Sequence, residues 1–142
     1  MPAEERDTVD RDTAEAAARV LVADDEEDIR LLVTLAVRKA GCTVVAAVAD
    51  GSQALASARA ERPDLVVLDV SMPGATGLEV CAALRQDPVT AGCRVLLLSA
   101  GASPDDVARG LAAGADAYLP KPFTVASLVA QVRRLVTVGS PA

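Results

Sequence analysis

Residues 65–69 read Leu-Val-Val-Leu-Asp, four apolar positions closed by one carboxylate. The run is too short for a helix and shows no polar alternation, so it predicts a strand covered on both faces, the habit of a parallel sheet. Pro63 ends the helix before it, and the loop Ser71–Thr76 behind it contains Pro73 and Gly74. Outward from this strand the pattern recurs. Arg19–Ala23, Thr43–Val48, Arg94–Leu98 and the short Ala117–Leu119 are further strand candidates.

Helical spacing fills the intervals. Ile29, Leu32, Val33, Ala36, Val37 and Ala40 form one apolar face that Gly41 terminates. Asp50-Gly51 resembles a hairpin turn, but Ala54, Leu55 and Ala58 follow at helical spacing, so Asp50 reads as an N-cap. A third helix runs from about Gly77 to Gln86. Ser103-Pro104 gives a cap and a proline at the first helical position, opening a fourth helix to about Ala113, with Gly114 beyond it. Thr124 caps the last, with Leu128, Val132, Leu135 and Val136 on one face. Alternating strands and helices with right-handed crossovers predict an α/β, doubly wound, five-stranded parallel sheet of order 2-1-3-4-5, flavodoxin-like, with five helices. Residues 19–138 are expected to form the one domain, residues 1–18 an acidic, disordered extension and 139–142 a C-terminal tail.

Composition excludes several chemistries. The 142 residues include no His and no Trp, one Tyr and one Phe. Without histidine there is no Ser-His-Asp or Cys-His machinery, no imidazole metal ligand and no phosphohistidine made on this chain. The net charge of −6 is unevenly placed: residues 1–28 hold 11 acidic residues against three arginines. No basic patch of the kind nucleic-acid binders carry is visible, which argues against direct nucleic-acid contact. Cys42, Cys81 and Cys93 are odd in number and lack a C-x-x-C pair, so they read as reduced, mostly buried thiols of a cytoplasmic protein. No apolar stretch suits membrane insertion, and no signal peptide is visible.

In a doubly wound sheet, chemistry gathers at the carboxyl ends of the strands. Those ends carry Asp24-Asp25, Asp69 and Ser99, and the last strand runs into Lys121. Each alone has an ordinary reading, as an acidic helix start, a turn residue or a solvated loop lysine. Together they place three carboxylates, a hydroxyl and an ammonium at one edge. Clustered carboxylates repel unless protons or a cation neutralise them, and an all-oxygen set favours Mg²⁺, with Mn²⁺ possible. A hydroxyl and a lysine beside such an ion receive the oxygens of a phosphoryl group, and the available nucleophile is a carboxylate.

The stretches VLVADDEEDIRLLV, LVVLDVSMPGATGLEV, VLLLSAGAS and AYLPKPF, with 44 residues from Asp25 to Asp69, 30 on to Ser99 and 22 on to Lys121, resemble the receiver domain of bacterial two-component response regulators. The likeness covers about residues 19–138, nearest to single-domain, chemotaxis-regulator-like members. It implies that Asp69 accepts a phosphoryl group from a histidine kinase or a histidine phosphotransfer protein. It assigns Mg²⁺ to Asp24, Asp25 and Asp69 and the backbone carbonyl of Ser71, with Asp25 bound directly and Asp24 through water. Lys121 would pair with Asp69 and then with a phosphoryl oxygen, and Ser99 would move to donate to that group. Tyr118 would turn inward and reshape the surface of the fourth helix, fifth strand and fifth helix, which controls an unknown downstream protein target. The Lys121-Pro122 peptide is expected to be cis, and Ser71 and Gly101 are expected to tune phosphate lifetime. Such a protein catalyses its own phosphorylation and dephosphorylation without being a conventional enzyme.

Other readings make different demands. A phosphatase of the haloacid-dehalogenase type places its nucleophile first, as D-x-D, whereas here the acidic pair comes first and Asp69-Val70-Ser71 lacks the second acid. A phosphorylation-independent interaction module would have no need of the full acidic set. A receiver excised from a multidomain transcription regulator or hybrid kinase would read identically, although Met1 and the end soon after the fifth helix favour a stand-alone chain.

Overall fold

A computed structural model describes residues 17–101 and 103–138. Of the extension expected over residues 1–18, residues 1–16 lie outside the described residues, as does the tail 139–142. Five parallel strands, β1 (Arg19–Ala23), β2 (Thr43–Val48), β3 (Leu65–Asp69), β4 (Arg94–Ser99) and β5 (Ala117–Pro120), pair in the order β2-β1-β3-β4-β5. The helices between them are α1 (Glu27–Lys39), α2 (Gly51–Glu61), α3 (Gly77–Gln86), α4 (Pro104–Ala112) and, last, α5 (Val125–Val138). Architecture and order are those expected from the apolar runs.

Each strand sends alternate side chains to opposite faces, and both faces are covered. Leu21, Val66, Leu68, Val95 and Leu97 pack with Ala54, Ala58, Val80 and Leu84 of α2 and α3. Val20, Val22, Leu65, Val67, Leu96 and Leu98 pack with Val33, Val37, Leu128, Val132 and Leu135 of α1 and α5. Each fully buried Val or Leu contributes about 1.5–3 kcal/mol by leaving water, and the core is mostly aliphatic, with Met72, Cys81 and Cys93 among its buried residues. Helix α4 is held more lightly, and Gly110 is its one buried residue. A Cβ there would lie 2.9 Å from the Tyr118 ring and 3.0 Å from Leu97, so the glycine lets the helix settle directly on both.

Small departures from the expected boundaries bear on the site. The last residues of β3 and β4, Asp69 and Ser99, lie inside the ladder rather than after it. Their backbones are thereby fixed by the sheet. Helix α2 ends at Arg62, which adopts φ 49°, ψ 61°, one residue before Pro63. Proline disfavours helical backbone in the residue before it, and here the left-handed turn supplies the exit. Cys81 and Cys93 are buried and Cys42 is half-buried, all as free thiols. Burial pushes the Cys81 thiol up to about 11, which makes it a packing residue and a poor nucleophile. No helix among the described residues is long and apolar enough to cross a membrane.

Candidate functional site

Ladder geometry brings the expected residues to one edge. The Asp24 N–H continues the sheet by donating to Val48 O (3.1 Å), and the Lys121 N–H donates to Ser99 O (2.6 Å). Between these two lies Asp69, followed by Val70, whose N–H donates to Leu98 O (2.9 Å). Gly77 opens α3 directly against this strand end: a Cβ would lie 2.4 Å from Asp69 O, so only glycine allows the approach. The Lys121–Pro122 peptide is cis.

Asp24 is fully buried and Asp69 is 3% exposed, while Asp25 faces solvent. One carboxylate oxygen from each can be chosen so that all three lie within 4.8 Å of one another. The Lys121 ammonium stands 3.2 Å from Asp69 Oδ1 and 3.4 Å from Asp24 Oδ2. Asp24 is further held by the Glu26 N–H, which donates to its Oδ1 (2.9 Å), and by Arg30, whose guanidinium donates to its backbone carbonyl (2.9 Å).

The electrostatics are unbalanced. Burial raises the Asp69 carboxyl to about 6, with the Asp24 charge adding to it, although Lys121 and a backbone hydrogen bond from Ser71 pull the other way. Burial also raises Asp24, against the Glu26 N–H and Lys121. Burial alone would lower Lys121, but its hydrogen bond to Asp69 and the charges of Asp69 and Asp24 outweigh that and raise it. One ammonium thus serves two buried carboxylates that repel each other. A hard divalent cation suits this set: every donor is a carboxylate oxygen, and exposed Asp25 gives the ion a way in.

The remaining expected residues form a chain leading away from the carboxylates. Buried Ser99 accepts, at its Oγ, the N–H of Gly101 (3.0 Å), and the Gly101 carbonyl accepts the Tyr118 hydroxyl (2.5 Å). A single peptide segment therefore ties Ser99 to Tyr118. The Tyr118 ring is half-buried against Gly110 of α4. The Ser71 residue itself is exposed. Sequence reasoning overlooked Glu26, whose Oε1 lies 3.3 Å from Lys121 Nζ. The available signal was its place at the start of α1, where Ser, Thr, Asp or Asn is the usual cap.

With this geometry in view, known proteins place the chain. The sequence profile of the response regulator receiver domain matches residues 20–133. The transcriptional regulatory protein PrrA of Mycobacterium tuberculosis is 46% identical over 125 residues, which cover 88% of this chain and 52% of PrrA. The chain thus spans about half the length of the curated relatives it matches. Among solved structures, the receiver domain of the putative response regulator NarL from Mycobacterium tuberculosis superposes with a TM-score of 0.80 at 36% identity, covering 85% of this chain and 97% of that one. The chemotaxis response regulator CheY4 of Vibrio cholerae gives 0.78 at 37%, covering 84% and 98%.

Proposed function

The chain belongs to the response regulator receiver domain family, and from that premise we propose that Asp69 is its phosphoacceptor, charged by a phosphohistidine on a histidine kinase or histidine phosphotransfer protein. Receiver domains are signalling modules rather than conventional enzymes. The observation that carries the reading is a buried carboxylate, Asp69, 3.2 Å from Lys121 and grouped with Asp24 and Asp25.

Asp24, Asp25, Asp69 and the Ser71 backbone carbonyl would hold Mg²⁺, or Mn²⁺ in its place. When bound, the cation supplies positive charge that offsets repulsion between Asp69 and the phosphate and stabilises charge on the transferring group. An ionised Asp69 oxygen attacks phosphorus; the phosphorus–nitrogen bond breaks, and its electron pair leaves with the imidazole. Lys121 orients Asp69 beforehand and then pairs with a phosphoryl oxygen. Ser99 redirects its hydroxyl to the phosphoryl group, which disturbs its bond with the Gly101 N–H. The Gly101 carbonyl holds Tyr118, so movement of this segment reaches the tyrosine and, through its ring, the lightly packed α4. The α4–β5–α5 surface is the element so biased, and a protein partner reads it. Small residues at Ser71 and Gly101 leave the phosphoryl group open to water or a partner, and so set its lifetime. The lack of a basic patch supports protein rather than nucleic-acid partners for this module, and its three free cysteines suit the cytoplasm.

The test is Mg²⁺-dependent labelling by acetyl phosphate or a phosphorylated kinase. Labelling is expected in the wild type and in the distal control Asp87→Ala, and is expected to vanish in Asp69→Ala. Persistent labelling of Asp69→Ala overturns the assignment. No labelling of the wild type, with signalling intact in Asp69→Asn, would establish a phosphorylation-independent module instead.

A further inference from the structure

An ammonium has three N–H bonds, and Lys121 directs them at three carboxylates: Asp69 Oδ1 (3.2 Å), Glu26 Oε1 (3.3 Å) and Asp24 Oδ2 (3.4 Å). A phosphoryl oxygen that approaches Lys121 before transfer, while the lysine still orients Asp69, competes with these carboxylates for the ammonium. Asp24 and Asp69 have side chains 0% and 5% exposed and are fixed at strand ends, whereas the Glu26 side chain is 63% exposed. Released into water, Glu26 regains hydration at once, so it is the partner that gives way.

The start of α1 supplies an independent observation. Glu26 occupies the N-cap position with extended backbone, yet its side chain caps nothing. At the corresponding points of α2, α3 and α4, the side chains of Asp50, Thr76 and Ser103 each accept a backbone N–H of the first turn. Thr124 does the same for α5, accepting the Ser127 N–H at 3.0 Å. Helix α1 thus forgoes the usual cap stabilisation, and the residue in that position reaches for Lys121 instead.

We propose that Glu26 is the exchangeable counter-ion of Lys121 and a specificity-determining residue: its charge at the mouth of the site slows phosphoryl transfer from small anionic donors. A free dianion is repelled by Glu26 and offers the displaced carboxylate nothing. A docked protein donor with a basic residue at that point neutralises it. The inference rests on Asp69 being the phosphoacceptor.

The test compares the 142-residue wild type with Glu26→Gln in saturating Mg²⁺, following the second-order rate of labelling by acetyl phosphate at several ionic strengths. Glu26→Gln is nearly isosteric and occupies an exposed position, and circular dichroism confirms its fold. It is expected to label about three- to tenfold faster than wild type at low ionic strength, the scale of one charge acting across a few ångströms of partly solvated space. The ratio is expected to fall toward one as salt screens the charge. Equal or slower labelling of Glu26→Gln, or a gain indifferent to salt, overturns the inference while leaving the phosphoacceptor reading intact. Absence of labelling in the wild type overturns both.

Discussion

Where its strands begin, the sheet carries Arg19, Asp64, Arg94 and Asp116 at or just before the first residues of β1, β3, β4 and β5, so the sign of charge alternates across neighbouring strands. The Arg19 N–H donates to Asp64 (2.8 Å), and Asp116 faces both Arg85 (2.8 Å) and Arg94 (3.4 Å). Arg85 completes this end by donating also to the backbone carbonyls of Gly114 (2.9 Å), Ala91 (3.0 Å) and Cys93. Where the same strands finish, the order is Asp24, Asp69, Ser99 and the approach to Lys121: two buried carboxylates side by side, then a hydroxyl, then one cation. The first edge satisfies its charges and holds the fold together. The second leaves like charges in contact, a state that a cation or a phosphoryl group can relieve, and it is there that function is proposed.

Substitutions at each edge separate the two roles. Arg85→Ala should lower stability by about 3 kcal/mol, because it removes the nearer of the two arginines facing half-buried Asp116 and the donor shared by three backbone carbonyls. Chemical denaturation measures the loss, and a change below about 1 kcal/mol would deny that this edge is a stabilising one. The folded fraction of that variant should still be labelled at Asp69. At the other edge, Mg²⁺ at a hundred times its dissociation constant should stabilise the wild type by about 2.7 kcal/mol. Thermal melts with and without the ion test this, and Asp25→Ala should respond much less.

Asp69→Asn should stabilise the metal-free protein at neutral pH by on the order of 2 kcal/mol, since it removes a buried charge that the site only partly compensates. The folded Asp69 carboxyl lies near 6, above its ordinary 3.8. The native state therefore binds the proton more tightly, and the wild type loses stability as pH rises from about 4 through 6. The advantage of Asp69→Asn should accordingly be absent below about pH 4 and complete above about pH 7. An advantage that is constant with pH would show that Asp69 carries no such strain. Smallest is Tyr118→Phe, which removes the hydroxyl bond to Gly101 and should cost about 1 kcal/mol or less. Its larger consequence should be a weakened response of the α4 amides to phosphorylation, read by hydrogen exchange.

Legibility in the sequence differed between the two edges for a physical reason. Strands buried on both faces write themselves as unbroken apolar runs, so Leu65–Leu68 and its counterparts located the sheet and, with it, the residues at its carboxyl edge. Asp24, Asp25, Asp69, Ser99 and Lys121 were therefore readable as a set. Arg85 was not: a helical arginine bound to carbonyls six, eight and 29 residues away looks like any solvated arginine in a one-dimensional string. Glu26 was hidden within the run Asp24–Asp28, where a helix start explains every acid equally well. Arg62 likewise gave no hint of its left-handed turn.

Intact and peptide-resolved mass spectrometry after exposure to acetyl phosphate, or to beryllofluoride as a stable phosphoryl mimic, decides whether Asp69 carries the phosphoryl group. A single adduct located on Asp69, present with Mg²⁺ and absent without it, is the expected result. An adduct on another residue, or one on Asp69 that forms equally well without a divalent cation, would contradict it.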